Sequence, residues 1–190
     1  MIVQYSYGQD DIHTNDKNVI DFYKSWKDAE IRADLESKRT ELVSIFINTQ
    51  NNLNCACSIR SNNAFLGKEV YMVGRKRYDR RGTVGCGHYE RVFHADTFDE
   101  VYNKLDALGY KFYAIDNIME YHPVNLFDVK FPEKTALVFG EEGPGLSKEI
   151  IDKCNEMIYI NTIGSVRSLN VASAAAILMY EYSKQMYLGY

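Results

Sequence analysis

Apolar and polar residues alternate in blocks from about residue 40 onward, and each block has the length of one strand or one helix. Short apolar runs predict strands over 42–47, 69–73, 111–115, 135–139 and 157–160. Longer stretches predict helices over 54–65, 97–108, 147–154 and 168–186. Thr97 and Glu100 have the spacing of a capping box at one helix start. This alternation predicts an α/β fold, a mostly parallel sheet covered by helices on both faces.

The pattern changes at about residue 40. Residues 1–40 are predicted to form a largely helical N-terminal extension, and 41–190 the main domain. A helix is predicted over 18–38, because apolar residues recur there at helical spacing: Val19, Phe22, Trp26, Ile31 and Leu35. This apolar stripe would pack on the main domain or on a partner chain. No regular structure is predicted over 1–16.

The composition is that of an ordinary soluble globular domain, with 46% hydrophobic and 25% charged residues among 190. The four cysteines are sparse and irregularly spaced, which favours free thiols in a reducing compartment over a disulfide framework. No apolar run has the length of a membrane span, and residues 1–5 lack a signal-peptide pattern. We therefore expect a cytoplasmic protein.

The charge is unevenly distributed along the chain. The net charge is −4, but residues 75–81 carry five basic residues and one acid, so this segment holds +4 and the remainder −8. Tyr78 lies inside this basic cluster, which could contact phosphates and stack on bases. The candidate RNA-contacting residues are Arg75, Lys76, Arg77, Arg80 and Arg81. A solvated charged loop would give the same pattern.

A glycine-rich turn, 140–147, follows the predicted strand 135–139. It has the first spacing of a P-loop, but Leu146 stands where the phosphate-binding lysine belongs. It also begins like a dinucleotide-binding fingerprint, but Lys148 replaces the third glycine. Both phosphate motifs are therefore rejected. The alternative is a tight turn that leads into a helix capped by Ser147.

A second polar cluster, Ser168 to Asn170, opens the last predicted helix, whose next residues are small. Ser168 would be a suitable N-cap, with Asn170 in the first turn. The glycine-rich turn and the segment 161–167, which leads into this cluster, both lie at the ends of predicted strands. Because ligands of open α/β sheets bind beyond the carboxyl ends of the strands, the two segments are candidates for one binding pocket.

Three segments resemble, in order, the three motifs of the SpoU, or TrmH-like, branch of the SPOUT RNA methyltransferases. In the first segment Asn54 lies six positions before Arg60. The second segment is 137–147, and the third is 158–175. Any one of them would be a weak signal, but three in the family's order make the resemblance specific.

The resemblance covers roughly residues 41–190 and implies a deep trefoil knot near the C-terminus. Periodicity could not predict a knot, because knots are very rare among folds. The resemblance also implies a homodimer, S-adenosylmethionine as methyl donor, and methylation of a ribose 2′-hydroxyl in tRNA or rRNA. No metal is required, because the donor's methyl group is already electrophilic. The lack of a separate N-terminal RNA-binding domain favours tRNA.

The resemblance also assigns site residues. The donor would be held at Gly140, Glu141, Gly143, Ile160 and Leu169. Arg60 would activate the ribose hydroxyl and contact phosphate, although an exposed helix arginine would look the same. The residues that would shape the site and position the target are Asn54, Glu142, Ser168 and Asn170.

The sequence departs from the family pattern at two places. Residues 161–163 read Asn-Thr-Ile where the family often has Pro-Met, which could alter the donor loop without removing its backbone contacts. Cys55 and Cys57 occupy positions where small or apolar residues are usual. Their spacing to Cys86 and His88 matches no standard zinc site, so no metal is predicted.

Two other classes of protein stay open. One is a non-catalytic knotted RNA-binding protein, which the presence of both Arg60 and Asn170 opposes. The other is a small-molecule nucleotide-binding α/β protein, which the basic cluster opposes.

Overall fold

The structure, a computed structural model, describes residues 1–5, 18–47, 52–74, 78–141 and 143–188. Its strands are β1 Val3–Gln4, β2 Val43–Ile47, β3 Glu69–Val73, β4 Val92–Ala95, β5 Lys111–Ile115, β6 Val124–Asn125, β7 Thr135–Phe139 and β8 Glu156–Tyr159. Its α-helices are α1 Asp28–Glu36, α2 Asn52–Ala64, α3 Phe98–Asp106, α4 Lys148–Ile151 and α5 Val171–Leu188.

The eight described strands form one sheet in the order β1-β4-β3-β2-β7-β5-β8-β6. Only β1 is antiparallel to its neighbour, and the other pairs are parallel. Each face of the sheet carries its own apolar cluster, one with α1, α2 and α5 and the other with α3 and α4. The mostly parallel sheet with helices on both faces is therefore confirmed.

Three strands were not predicted from the sequence: β1, β4 and β6. β1 and β6 have two residues each, too few to give a periodic signal. β4 contains His94, whose ring Nε2 lies 3.0 Å from the carbonyl oxygen of Gly74. This bond satisfies a buried polar side chain inside a strand, so that the strand needs no continuous apolar run.

The single helix predicted over 18–38 is wrong. The segment forms a short 3-10 turn at Asp21–Tyr23 and then α1, with Lys27 extended between them. Tyr23 and Trp26 pack edge to face, with ring centroids 5.4 Å apart. Lys27 is the N-cap of α1, and its backbone N–H donates to Oε2 of Glu30 at 2.7 Å, so a new helix begins there. The stripe does pack on the main domain, since Ile31 and Leu35 are buried in the same cluster as Phe46 and Ile59.

Two other predicted helix starts need correction. Thr97 occupies the N-cap position of α3 without a side-chain capping bond, and Glu100 accepts a hydrogen bond from the backbone of Asp96 instead. The last helix begins at Val171, not at Ser168. Asn170 caps it, because its Oδ1 accepts a hydrogen bond from the backbone N–H of Ala172 at 2.9 Å.

The sheet order places β5 between β7 and β8. All three are parallel, so the segments that follow them leave from the same edge of the sheet. This brings the glycine-rich turn after β7 next to the polar segment after β8. Among the residues that the structure describes, no helix has both the length and the apolar character to cross a bilayer.

Candidate active site

A cavity of about 640 Å³ lies at the carboxyl edge of β5, β7 and β8. One wall is the glycine-rich turn, and the opposite wall is the segment between β8 and α5. The end of β5 forms the floor between them. The seven predicted residues among its lining are Gly140, Glu141, Gly143, Ile160, Ser168, Leu169 and Asn170. The two segments that were predicted to share one pocket therefore line the same cavity.

The glycine-rich turn is shaped by its backbone. Glu141 and Gly145 exchange two backbone hydrogen bonds, of 2.9 and 3.2 Å. Gly143 and Gly145 have φ angles of 97° and 74°, which side chains rarely tolerate. A Cβ on Gly140 would lie 2.5 Å from the carbonyl carbon of Gly145. Only glycine therefore allows the chain to fold back this tightly at the end of β7.

Asn170 connects the first motif to the third. Its Nδ2 donates a hydrogen bond to Oδ1 of Asn54 at 3.1 Å, across 116 residues of sequence. Asn54 is buried on α2. The same Asn170 side chain caps α5, so one residue sets the start of the helix and holds α2 to the cavity wall.

Arg60 lies apart from the cavity lining. It is exposed on α2, six residues beyond Asn54, which corresponds to about 9 Å along the helix axis. Because Arg60 is exposed and lies on a different face of α2 from Asn54, it is suited to contact a ligand that extends beyond the cavity. Glu142, the remaining residue predicted for catalysis, falls outside the described residues.

The described part of the basic cluster packs against α2. Arg80 and Arg81 are exposed in a short 3-10 turn, and a Cβ on Gly82 would lie 2.6 Å from Cβ of Ala56. Arg81 pairs with Asp79, with Nη2 and Oδ2 2.7 Å apart. Arg75, Lys76 and Arg77 lie outside the described residues.

The polar cavity residues that sequence reasoning missed include Asp116, Asn117 and Arg167. Asp116 accepts a hydrogen bond from the backbone N–H of Leu146 at 3.4 Å. Asn117 donates one to the carbonyl oxygen of Arg167 at 2.8 Å. The available signal was the position of Asp116 and Asn117 directly after the apolar run of β5, where polar residues lie at the ligand-binding edge.

Two of the four cysteines, Cys86 and Cys154, are not reactive thiolates. Burial raises the pKa of Cys86 to about 12, and burial alone does the same for Cys154. Both thiols are therefore protonated near neutral pH. Within the described residues, no group of three His, Cys, Asp or Glu side chains is placed to hold a metal ion.

Comparison with known proteins identifies the family of this chain. A sequence model of the SpoU rRNA Methylase family matches residues 41–180. The tRNA (guanosine(18)-2′-O)-methyltransferase of Aquifex aeolicus is 27% identical over 158 residues, which cover 82% of this chain and 74% of that protein. The chain spans only 28% of a putative TrmH family tRNA/rRNA methyltransferase of Staphylococcus haemolyticus, at 39% identity over 75 residues.

Two solved structures share the fold. The A. aeolicus TrmH/SpoU tRNA modifying enzyme superimposes with a TM-score of 0.75 at 25% identity, covering 85% of this chain and 83% of that one. The SpoU methyltransferase AviRb of Streptomyces viridochromogenes, solved with AdoMet, gives 0.70 at 25% identity and covers 80% and 64%.

The fold and the cavity, taken with these matches, define an S-adenosylmethionine-dependent RNA 2′-O-methyltransferase. The chain belongs to the SpoU rRNA methylase family, since the family match spans well over half of its residues. The family and the class of activity predicted from the three motifs are thereby confirmed.

Proposed function

We propose that this protein methylates a ribose 2′-hydroxyl of tRNA. The observation that carries the proposal is the cavity in which the second and third motifs form opposite walls. The bond between Asn170 and Asn54 adds the first motif to it. The alignment with the A. aeolicus tRNA methyltransferase over most of this chain supports tRNA as the acceptor.

The cavity fits the methyl donor. Its volume of about 640 Å³ is within the range of small-molecule sites, about 300–1,000 Å³. Ile118, Ile160 and Leu169 offer apolar surface for a purine. A Cβ on Gly143 would meet nothing within 4 Å, so that the backbone there leaves open space for a nucleoside. Gly140 and Glu141 complete this wall of the donor site.

The bound donor supplies a methyl group made electrophilic by its positively charged sulfur. The protein has to hold the acceptor oxygen in line with that methyl, and such positioning lowers a barrier by about 7–11 kcal/mol in favourable cases. Asn54, Ser168 and Asn170 are the residues that we propose shape this geometry. Glu142 remains a predicted member of the same group.

Arg60 acts on the acceptor side in this proposal. An arginine stays protonated, so it is a poor general base. It can instead stabilise the developing alkoxide or hold the neighbouring phosphate. Its exposure on the helix that carries Asn54 supports a contact with RNA just outside the cavity.

The basic cluster would bind RNA beyond the target nucleotide, through Arg75, Lys76, Arg77, Arg80 and Arg81. Because Gly82 packs on Ala56, the turn that holds Arg80 and Arg81 lies beside α2, the helix that carries Arg60, which supports one continuous RNA surface. Because Arg81 is already paired with Asp79, Arg80 is expected to contribute more. Binding through phosphates should weaken steeply with salt.

rRNA is the second candidate acceptor. A segment of 60 residues is 42% identical to the 23S rRNA (guanosine-2′-O-)-methyltransferase RlmB of Salmonella typhi, although it covers only 25% of that protein. Methyl transfer to separated tRNA and rRNA distinguishes these two acceptors.

The family also implies properties of the whole molecule. We propose a C-terminal trefoil knot, a homodimer, a cytoplasmic location, and an N-terminal extension over 1–40 attached to a methyltransferase domain over 41–190. The start of the family match at residue 41 supports this division. The chain leaves β8, which lies between β5 and β6, and runs through the cavity wall to α5. This course of the chain is compatible with the knot.

The test is methyl transfer in vitro from labelled S-adenosylmethionine to separated tRNA and rRNA, with the modified nucleotide mapped. We expect label in a ribose of tRNA, and Arg60→Ala should abolish it while donor binding persists. Lys111→Ala is the matched control, because Lys111 is an exposed cation at the opposite edge of the sheet. Label confined to rRNA would overturn the tRNA assignment, and full activity of Arg60→Ala would overturn the role of Arg60.

A further inference from the structure

Two residues outside the three motifs connect both walls of the cavity. Asp116 and Asn117 follow β5 directly, and β5 lies between the strands that lead to the two walls. Asp116 contacts the glycine-rich turn, and Asn117 contacts the segment before α5. The exit of the central strand is therefore tied to each wall by one side chain.

Asp116 uses both carboxylate oxygens on backbone N–H groups. Oδ1 accepts a hydrogen bond from the N–H of Asn117 at 2.8 Å, and Oδ2 accepts one from Leu146 at 3.4 Å. Oδ2 also lies so close to Gly145 that a Cβ there would be 2.7 Å away. A carboxylate can accept on two oxygens, whereas an amide has one oxygen. An aspartate is therefore better suited to this position than asparagine.

Asn117 makes the matching contact on the other side. Its Nδ2 donates to the carbonyl oxygen of Arg167, 50 residues away, at 2.8 Å. Both residues are exposed, so the bond adds little to global stability. Its effect is local, on the segment that leads to Ser168 and Leu169.

We propose that Asp116 and Asn117 are positioning residues that set the separation of the two cavity walls and thereby the affinity for the donor. The inference rests on the proposed donor role of the cavity. It goes beyond the motif residues, because neither side chain belongs to a motif and each acts on the backbone of a wall.

The first test needs no donor. Hydrogen exchange of the full chain should be faster at 145–147 in Asp116→Asn and at 165–169 in Asn117→Ala, with other segments unchanged. The controls are Asp152→Asn and Asn103→Ala, the same types of change at exposed positions on α4's end and on α3. Unchanged exchange in both walls would overturn the proposal, whatever the cavity binds.

The second test is calorimetric titration with S-adenosylmethionine and with S-adenosylhomocysteine. Each variant should bind both about fivefold more weakly, the effect of one lost hydrogen bond. Thermal midpoints without ligand should stay within about 2 °C of wild type. Loss for S-adenosylmethionine alone would indicate a direct charge contact and contradict a positioning role. If the wild type binds neither, the donor role fails, and the exchange result still decides whether the walls are tied.

Discussion

The two edges of the sheet use polar residues in opposite ways. At the amino edge, Glu90 is completely buried and accepts hydrogen bonds from Arg39, Asn62 and Asn63. At the carboxyl edge, polar groups line an open cavity, and two of them, Asp116 and Asn117, bond to the backbone of a wall. The first arrangement fixes the fold, and the second leaves surface for a ligand.

Other contacts follow the same division. Glu41 binds Lys68 and Tyr110 at the amino edge, and Glu69 binds Arg91 there. Buried charge-assisted hydrogen bonds hold the amino edge together, although among the described residues Nε of Arg39 and Oδ1 of Asn62 have no hydrogen-bond partner. The opposite edge instead keeps Gly143 and Gly145 at positive φ and places polar groups around an open cavity. Substitutions at the amino edge should therefore lower stability, and those at the carboxyl edge should also weaken donor binding.

The largest expected effect is on stability at the amino edge. Glu90→Ala removes the buried carboxylate from the guanidinium of Arg39, only 4% exposed, and leaves it with the half-exposed carboxylate of Glu36 at 3.4 Å. Removing one partner of a buried pair costs about 3–5 kcal/mol, and urea unfolding followed by circular dichroism would measure it. Asp152→Ala, which removes an exposed carboxylate, should leave the unfolding curve unchanged. A loss for Glu90→Ala below about 1 kcal/mol would contradict this view of the amino edge.

At the carboxyl edge, Gly140→Ala should affect both donor binding and folding. The new Cβ would lie 2.8 Å from the backbone nitrogen of Leu146, so the turn must shift, at a cost of about 1–3 kcal/mol. Calorimetry should show donor binding weakened about tenfold or more. Gly164→Ala is the matched control, since a Cβ there meets nothing within 4 Å. Equal donor affinity in the two variants would mean that the turn is not a donor wall.

Asn170 lines the cavity and has two roles: it caps α5 and it donates a hydrogen bond to Asn54. Two different substitutions of Asn170 should separate these roles. Asn170→Ala removes the cap of α5 and should cost about 1 kcal/mol of stability as well as methyl transfer. Asn170→Asp keeps the cap acceptor but cannot donate to Asn54, so stability should persist while methyl transfer falls. Thermal unfolding and the methyl-transfer assay measure the two effects. Normal activity in Asn170→Asp would show that methyl transfer does not require the hydrogen bond that Asn170 donates to Asn54.

The strands show why much of the fold was predictable. The predicted bounds of β3, β5 and β7 coincide with the observed ones. Their residues are mostly buried because helices cover both faces, so the whole strand is an apolar run. By contrast, the helix predicted over 18–38 is interrupted at Lys27, where the backbone is extended and a new helix begins, and helical spacing alone does not reveal this break.

The site was predictable where its chemistry is local in sequence. The glycine-rich turn and Ser168 to Asn170 are contiguous segments, and both line the cavity. Asp116 and Asn117 are different, because their partners lie 30 and 50 residues away. A lone Asp-Asn pair after a strand does not indicate which backbone groups it meets until the sheet order is known.

The smallest expected effect concerns pH at the amino edge. Burial raises the pKa of Glu41, but hydrogen bonds from Lys68 and Tyr110 outweigh it, and the pKa is lowered from the ordinary 4.5. A lowered folded-state pKa contributes stability above the unfolded value, and this contribution is lost as pH falls through the folded value. Glu41→Gln should therefore be less stable than wild type by about 0.5 kcal/mol at pH 7, and this difference should be smaller at pH 3. Urea unfolding at both pH values measures this, and Lys68→Met tests the pair from the other side. A difference that stays constant with pH would show that the Glu41 charge does not stabilise this edge. As a control, donor affinity at pH 7 should be the same in wild type and in both variants.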